Sequence, residues 1–226
     1  MSVASVKAEL MKMPDLPQLM GELASALEQE RLKRQVFYEW VDENKKVEFI
    51  NGEIIEHSPV ADEHSEIFNL ASRAIGTYVD FNNLGKMRGE KAMVSLTRND
   101  YEPDICFWRK EISDNFDNSQ THYPAPDWIC EILSKGTKLR DKGVKFRDYA
   151  AHGVKEYWII DPRRKTIEQF VLPKNSNEYE LFKKLGIGDM IESISIHGFK
   201  IMVESLFDKE KNNDSMRNLI LSSLKK

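Results

Sequence analysis

Three residues within one stretch of the chain have the types and the spacing that metal-assisted phosphodiester chemistry requires. Asp104 stands in the apolar run EPDICFW and Glu131 in WICEIL, so each carboxylate interrupts a segment with the composition of a buried strand. Lys145 follows on a segment with helical spacing. Burying an unpaired acid is costly, so we expect a compensating partner for both carboxylates. Two acids and a lysine are therefore predicted to converge at one edge of a sheet.

The chemistry that this set supports is hydrolysis of a phosphodiester bond. A divalent cation neutralises the phosphate and lowers the pKa of an attacking water, and hard oxygen ligands hold Mg²⁺. We predict Asp104 and Glu131 as ligands of Mg²⁺, with Mn²⁺ as the alternative cation. Lys145 would orient the water or stabilise charge in the transition state. The competing interpretation is that the three side chains form only a satisfied ion-pair network.

The length and composition of the chain limit what this set can belong to. A chain of 226 residues favours one domain with additions. No apolar run approaches the roughly 20 residues that a membrane span needs, and the first residues do not form a secretory signal, so we expect a cytoplasmic protein without membrane contact. Cys106 and Cys130 lie in apolar runs without metal-ligand spacing, and we interpret both as reduced core residues.

One segment is locally basic although the net charge of the chain is −4, which gives no global attraction for nucleic acid. Positive charges on a surface helix attract the phosphate backbone without reading sequence, so binding through this segment should be sensitive to salt. The residues predicted to contact DNA in this way are Lys138, Arg140, Lys142 and Arg147.

A series of helices and strands must position these residues. From Asp62 to Phe81, apolar positions recur every three or four residues and Gly85 follows as a stop, which predicts a helix. The elements predicted after it are a strand near 87–97, a strand at 102–109, a strand at 127–133, a helix at about 138–151 and a strand at 154–161. This order favours the mixed α/β class.

The ends of the chain are predicted to be additions to this central body. Residues 15–40 have mostly helical spacing and predict one or two helices, and Asn51-Gly52 between two short apolar runs predicts a β-hairpin. Strands near 166–172 and 178–185 should extend the sheet, and residues 189–207 are strand-like. The predicted organisation is a helical extension at 1–44, the main domain at 45–208 and a polar tail at 209–226.

The order and spacing of these motifs resemble the PD-(D/E)xK nuclease superfamily. Pro103-Asp104 and Glu131-Ile132-Leu133 match the first two elements of its metal site. Within that superfamily, NGEIIEHSP, YEPDICFW, CEILSKGT and GVKEYWIIDP resemble the Uma-two family of restriction-endonuclease-like proteins, over roughly residues 45–205. The resemblance implies a core of helix, three strands, helix and strand, and an endonuclease that cuts DNA with the help of a divalent metal ion.

The sequence departs from the superfamily pattern at its lysine. Leu133 stands where the pattern has lysine, so the lysine must come from elsewhere. Lys145 is the first candidate because Lys145 and Tyr149 are four residues apart on a helix and point the same way, which is similar to a Gln-then-Tyr helical motif in some branches of the superfamily. Lys135, in the loop directly after Glu131, is the second candidate. That loop, Ser-Lys-Gly-Thr, also differs from the Ser-Pro-Ser-Thr associated with the family.

Two further residues are candidates for the site, each with a structural alternative. His64 lies on the inward stripe of the first long helix, where the resembling family often has a histidine, but a histidine on an apolar face is more often structural. Glu53, beside the hairpin turn, could supply a third carboxylate or be an exposed turn acid. Tryptophans in strands could stack on bases but more often pack in the core; here they are Trp108, Trp128 and Trp158.

Two functions from different classes follow. The first is a Mg²⁺-dependent DNA hydrolase, with a homodimer as its expected form because duplex cutting commonly uses paired sites. The second is a nuclease-like fold that no longer cuts and binds nucleic acid or protein instead, a possibility that Leu133 leaves open. A cation bound between Asp104 and Glu131 would support the first, and a closed ion pair the second.

Overall fold

A computed structural model describes residues 3–42 and 45–224. The helices are α1 (Val3–Leu10), α2 (Leu16–Trp40), α3 (Asp62–Phe81), α4 (Lys110–Ser113), α5 (Lys138–Asp141), α6 (Val144–Ala151) and α7 (Lys209–Ser223), with a 3₁₀ helix at Val203–Leu206. The strands are β1 (Val47–Ile50), β2 (Glu53–Glu56), β3 (Gly85–Gly89), β4 (Met93–Ser95), β5 (Asp100–Tyr101), β6 (Ile105–Arg109), β7 (His122–Tyr123), β8 (Trp128–Ile132), β9 (Glu156–Asp161), β10 (Thr166–Val171), β11 (Glu180–Leu185), β12 (Met190–Glu192) and β13 (Lys200–Met202). The mixed α/β class is confirmed.

The central sheet brings the two predicted acids together. Within the described residues its strand order is β11-β10-β9-β8-β6-β3, and β8 and β9 are parallel because α5 and α6 cross over between them. Ile105, the first residue of β6, pairs with Cys130 of β8. Asp104 directly precedes Ile105 and Glu131 directly follows Cys130, so the two acids are neighbours. The predicted order of helix, three strands, helix and strand is confirmed by α3, β3, β6, β8, α6 and β9.

Both faces of this sheet are covered, as side-chain alternation along its strands requires. One face packs against α3 through residues such as Ile67 and Ala71. The other face packs against α6 through Tyr149 and Ala150, and Ile129 of β8 lies on that side. Glu131 is two residues after Ile129, so it points toward α6. The tryptophans Trp108, Trp128 and Trp158 are fully buried, which confirms their interpretation as core residues.

A second sheet, of order β2-β1-β5-β4-β7 in the described chain, holds the predicted hairpin. Asn51 and Gly52 have φ of 50° and 83°, the left-handed values that a two-residue hairpin turn requires, so the hairpin is confirmed. Phe49 of β1 pairs with Asp100 of β5. Since β5 leads directly to Asp104, this pairing places the hairpin beside the central sheet.

The helices predicted in the N-terminal part of the chain are present, and α2 is tied to the second sheet. Arg34 donates a 2.6 Å hydrogen bond to Asp100, and Phe37 is buried against β1 residues. A bilayer-spanning helix would need a long apolar stretch, and none of the helices in the described part of the chain contains one. The predicted boundary between residues 44 and 45 is partly outside the description, which omits 43 and 44.

Three predicted elements differ from the structure in the central part of the chain. The strand predicted at 87–97 is two strands, β3 and β4, in different sheets, and the strand predicted at 102–109 begins only at Ile105. The helix predicted at 138–151 is interrupted at Lys142-Gly143. Gly143 has non-helical φ and ψ of −121° and −101°, and a Cβ there would lie 2.4 Å from the Leu139 carbonyl oxygen, so glycine permits the break.

The C-terminal part also corrects the prediction. Residues 189–207 contain only two short strands before the 3₁₀ helix, and the residues expected to form a polar tail form α7 instead. Asn212 of α7 is buried and donates to the Leu70 carbonyl of α3 at 2.9 Å, while Arg73 of α3 donates to Asn212 at 3.0 Å. This contact stabilises a helix that is polar in sequence. The last two residues of the predicted tail, 225 and 226, lie outside the described residues.

Candidate active site

Asp104, Glu131 and Lys145 line one cleft of about 710 Å³. Four segments complete its walls: the exit of the hairpin at 56–61, the start of α3, the loop at 133–138 and the turn at 161–163. The cleft therefore lies where the C-terminal ends of the parallel strands β8 and β9 meet the hairpin. At the C-terminal ends of parallel strands, loops from several elements can converge on a substrate.

Asp104 is buried at the inner end of this cleft with both carboxylate oxygens in contact. Oδ2 accepts from the Ile132 backbone N–H at 2.8 Å and lies 3.1 Å from His64 Nε2. Oδ1 accepts from Lys46 Nζ at 3.2 Å. Burial favours protonation of Asp104, but His64 and Lys46 outweigh it and lower its pKa to about 2. Asp104 is consequently an anionic oxygen donor throughout the physiological pH range.

Glu131 is held by groups from two other elements. Its Oε2 accepts from the Asp104 backbone N–H at 3.2 Å, and its Oε1 accepts from Lys145 Nζ at 3.0 Å and from the Tyr149 hydroxyl at 3.2 Å. Burial raises the pKa of Glu131 to about 8 even though Lys145 opposes the shift, and the nearby carboxylates Asp104, Asp141 and Glu48 add to it. Burial is thus the main cause of the raised pKa, and the surrounding carboxylates are a secondary one.

Lys145 reaches Glu131 from the helix, as predicted from its spacing to Tyr149. Its side chain is 2% exposed, and Nζ lies 2.7 Å from Glu48, 3.0 Å from Glu131 and 3.6 Å from Asp141. Burial would lower its pKa, but these three carboxylates raise it well above the ordinary value. Lys135, the second candidate, is exposed on the loop that lines the cleft. Of the two lysines, the structure brings Lys145 into contact with Glu131.

The charge of this cluster matches a divalent cation. Four buried carboxylates (Glu48, Asp104, Glu131, Asp141) face two ammonium groups (Lys46, Lys145), so full ionisation leaves an excess of two negative charges. Among the described residues, no three His, Cys, Asp or Glu side chains form a ready-made ligand set. Carboxylate oxygens and an excess of negative charge are suited to Mg²⁺. In this structure, lysine Nζ atoms contact these carboxylates.

Other predicted residues divide between the cleft and the outer surface. His64 is buried, lines the cleft and contacts Asp104, an arrangement that fits both the functional and the structural interpretation. Glu53 is exposed on β2 opposite Ile50 and is not part of the cleft wall, so the structure does not bring it to the site. The buried acid of the hairpin is Glu48 of the neighbouring strand β1, which lies beside Lys145.

The four basic residues also separate. Lys138 and Arg140 line the cleft, whereas Lys142 forms an ion pair with Glu168 and Arg147 is exposed on α6 outside the cleft wall. They do not form one helical face, since the helix is broken at Gly143.

Several residues of the cleft wall and of the buried cluster behind it were missed by the sequence prediction. Glu48 interrupts the apolar run VEFI in the same way as Asp104 and Glu131 interrupt theirs, so a signal for it was present. His57 lines the cleft, and its Nε2 lies 3.1 Å from Glu48 Oε2. Burial opposes ionisation of Glu48, but Lys145 and His57 lower its pKa to about 2. Lys46 and Arg163 carry no pattern that distinguishes them from solvated surface residues.

Comparisons with known proteins agree with this geometry. The Uma2 family model, described as "Putative restriction endonuclease", matches residues 34–204. The crystal structure of a "putative nuclease belonging to DUF820" from Anabaena variabilis is similar with a TM-score of 0.61 and 21% identity, over 76% of this chain and 94% of that chain. At this identity the similarity shows the fold alone. No curated protein sequence matches the chain.

The fold is that of a restriction-endonuclease-like nuclease core. Because the family model matches well over half of the 226 residues, the protein belongs to the Uma2 family of restriction-endonuclease-like proteins.

Proposed function

We propose that the protein is a metal-dependent endonuclease that hydrolyses phosphodiester bonds of DNA in the cleft of Asp104 and Glu131. One observation carries the proposal: two buried carboxylates and a buried lysine from three different elements converge at the wall of one open cleft. Membership of a family described as restriction endonucleases supports the same reaction class.

Asp104 and Glu131 are the proposed ligands of Mg²⁺, with Mn²⁺ as the alternative. A bound divalent cation would neutralise the phosphate and lower the pKa of the attacking water. The excess of two negative charges in the cluster supports this assignment. Lys46 contacts Asp104 but is 20% exposed, so its flexible side chain can swing toward the cleft and leave the carboxylate to the cation.

The remaining contacts keep the reacting groups in place. The Ile132 N–H and His64 orient Asp104, and the Asp104 N–H and Tyr149 hydroxyl orient Glu131. Lys145 is proposed to stabilise the charge that develops on the phosphoryl group or to orient the water, because a fixed ammonium in a buried setting needs no reorganisation during the reaction.

The DNA backbone is proposed to follow the basic residues of the cleft wall. Lys138, Arg140 and Arg163 all line the cleft and supply positive charge near the acids. These contacts would position any duplex without reading its sequence. Lys142 and Arg147 are proposed to contribute less, since Lys142 is paired with Glu168 and Arg147 lies outside the cleft wall. Cutting both strands commonly uses two active sites, and we propose a homodimer as the form that does so.

A second candidate function is nucleic-acid binding without cleavage. Leu133 at the position of the superfamily lysine favours it, and so does the pairing of Asp104 with Lys46 and His64 and of Glu131 with Lys145. In that case the cluster would be a closed ion-pair network, and added Mg²⁺ would change neither its stability nor its binding.

Cleavage of supercoiled plasmid DNA in Mg²⁺ and in EDTA separates the two functions. The proposal expects Mg²⁺-dependent nicking by the parent and loss of nicking in Asp104→Asn and Glu131→Gln. Glu53→Gln is the matched control, because it removes an exposed acid outside the cleft and should cut like the parent. A parent that binds DNA but fails to cut in Mg²⁺ or Mn²⁺ would favour the second function.

A further inference from the structure

We infer that Glu48 is a positioning residue for Lys145, which it holds in place when a cation occupies Glu131. The inference rests on the proposed function, because it concerns the lysine of the same cleft. Glu48 is distinct from the proposed ligands: its side chain is fully buried and does not line the cleft, whereas Lys145 and Glu131 do. It lies behind the lysine, out of reach of a substrate.

Glu48 makes the shortest contact with the lysine nitrogen, although Lys145 donates its hydrogen bond to Glu131. Lys145 Nζ lies 2.7 Å from Glu48 Oε1, compared with 3.0 Å from Glu131 and 3.6 Å from Asp141. A buried ammonium needs a close carboxylate, since leaving such a charge unpaired is strongly destabilising. Glu48 and Asp141 can both remain with Lys145 after Glu131 has turned its oxygens to a cation, and Glu48 is the nearer of the two.

Glu48 is itself fixed on two sides. Its Oε1 accepts from the backbone N–H of Glu102 at 3.1 Å, and its Oε2 lies 3.1 Å from His57 Nε2. Glu102 is two residues before Asp104, so the anchor is tied to the segment that presents the first acid. Such outer partners fix the orientation of a group that acts at a metal site.

The consequence for the lysine follows from charge competition. With Glu48 present, Lys145 has a strong partner away from the cleft. Without it, Glu131 becomes the nearest partner, and the ammonium competes with the cation for the same oxygen. Losing Glu48 should therefore weaken cation binding as well as slow the reaction, even though Glu48 touches neither the cation nor the DNA.

The test uses Glu48→Gln, which keeps the shape of the side chain and removes its charge. We expect Mn²⁺ binding without DNA, measured by calorimetry, to weaken about 10-fold, and kcat for plasmid nicking to fall about 10- to 100-fold, as for other outer partners of metal sites. KM for DNA should stay within about 2-fold of the parent value, because Glu48 does not reach the substrate.

A double variant tests the competition itself. In Lys145→Met, the competing ammonium is gone, so adding Glu48→Gln should change Mn²⁺ affinity by less than about 3-fold. An equal loss of affinity in both backgrounds would overturn the inference, since the effect would then not pass through the lysine. Glu156→Gln, which alters a fully buried acid outside the cleft wall, is the control for a general loss of packing.

Glu48→Asp retains the charge with a shorter reach and should fall between the parent and Glu48→Gln in both kcat and Mn²⁺ affinity. If Glu48→Gln does not fold, Glu48→Asp is the deciding variant. A kcat and a Mn²⁺ affinity equal to those of the parent would then overturn the inference. If the parent cuts DNA and binds Mn²⁺, and Glu48→Gln does both equally well, the role of Glu48 is refuted and the proposed function is not. A parent that neither binds Mn²⁺ nor cuts would overturn both.

Discussion

Buried carboxylates occur in two regions of the central sheet, and different kinds of group compensate their negative charge in the two regions. Glu156, at the start of β9, is fully buried and accepts hydrogen bonds of 2.6 to 2.9 Å from uncharged donors. These donors are the Trp158 indole, the Gln169 amide, the Ser193 hydroxyl and the backbone N–H groups of Ile194 and Ser195. The donors of Ser193, Ile194 and Ser195 fix the loop after β12 to the sheet.

The acids of the cleft also accept hydrogen bonds from neutral donors, but in addition each contacts a lysine ammonium group. Asp104 faces Lys46 and His64, and Glu131 faces Lys145, at the wall of an open cleft. Neutral donors that belong to the fold cannot be exchanged for a metal ion without unfolding the segment that carries them. A lysine side chain is flexible, and a metal ion can replace it without unfolding the chain around it. This difference favours a structural role for Glu156 and supports the proposed chemical role of the cleft acids.

The largest expected effect is loss of cleavage on removal of a cleft acid. Asp104→Ala and Glu131→Ala should each reduce Mg²⁺-dependent nicking by on the order of 1,000-fold, because they remove cation ligands and charge complementarity. Both should still unfold cooperatively. Without metal, the melting temperature of Glu131→Ala should stay the same or rise as repulsion between acids is relieved, whereas that of Asp104→Ala should fall because the lowered pKa of Asp104 stabilises the fold. Nicking and melting are measured on the same preparations. Cutting at the parent rate by both variants would remove the distinction between the two regions.

The opposite pattern is expected at Glu156. Glu156→Ala leaves several buried donors without an acceptor, so the free energy of unfolding should fall by about 3 kcal/mol. Urea denaturation measures this change. The rate of nicking per folded molecule should equal that of the parent. A stable Glu156→Ala protein that no longer cuts would contradict the structural assignment.

Lys145→Met should produce the next largest change. Methionine keeps much of the aliphatic packing and removes the charge, so kcat should fall on the order of 100-fold while DNA affinity changes little. Lys135→Met is the comparison, because this lysine is nearer to Glu131 in sequence but exposed on the loop. Loss of cutting in Lys135→Met with an active Lys145→Met would transfer the role to the loop.

The pH dependence of stability should also separate the regions. In EDTA, folded Glu131 keeps its proton up to about pH 8, whereas the unfolded chain loses it near pH 4.5. The folded state therefore binds more protons between these values, and stability should decline by roughly a few kcal/mol as pH rises from 4.5 to 8 and then level off. Asp104 acts oppositely: its lowered pKa stabilises the fold above about pH 4, and this contribution is lost as pH falls toward 2.

Urea denaturation from pH 5 to 9 measures the Glu131 contribution. Glu131→Gln should lack the decline, and Mg²⁺ at pH 8 should restore stability to the parent but not to this variant. A parent whose stability is flat over this range would show that Glu131 is as well neutralised as Glu156.

The smallest expected effect concerns DNA affinity. Changing Lys138 and Arg140 together to glutamine should weaken binding about 10-fold at low salt and reduce the salt slope by about two, because two phosphate contacts are lost. Lys142→Gln with Arg147→Gln is the matched pair and should have the smaller effect, since Lys142 is paired with Glu168. Filter binding across a salt series measures both. Equal effects would extend the DNA-binding surface beyond the cleft.

Local patterns predicted the parts of the fold that local physics determines. The helix α3 was predicted over its full range because its apolar stripe is continuous, and the hairpin because Asn51-Gly52 adopts the left-handed turn. The polar helix α7 was missed, since the contact of Arg73 with Asn212 joins residues 139 apart in sequence. The break at Gly143 depends on the close approach to Leu139, which periodicity does not reveal.

The site residues also divide into those that local sequence patterns predict and those that depend on contacts between distant parts of the chain. Asp104 and Glu131 could be recognised because a charge in an apolar strand needs a reason, and Lys145 because helical spacing aligned it with Tyr149. Glu48 carried the same signal within VEFI, but its partner is contributed by a helix nearly a hundred residues later in the chain. Which acid of the hairpin is buried depends on where each strand lies in the sheet: β1 pairs with β5, whereas Glu53 is exposed on β2 at the edge.

The most direct test of the cation site is a crystal structure of the protein soaked in Mn²⁺, with anomalous scattering to locate the ion. The account predicts one ion in contact with carboxylate oxygens of both Asp104 and Glu131, with Lys46 displaced from Asp104 and Lys145 retained on Glu48. The ion should be absent from Glu131→Gln crystals treated in the same way. A cluster that keeps Lys46 and His64 on Asp104 and Lys145 on Glu131 at saturating Mn²⁺, without anomalous density between the acids, would contradict it.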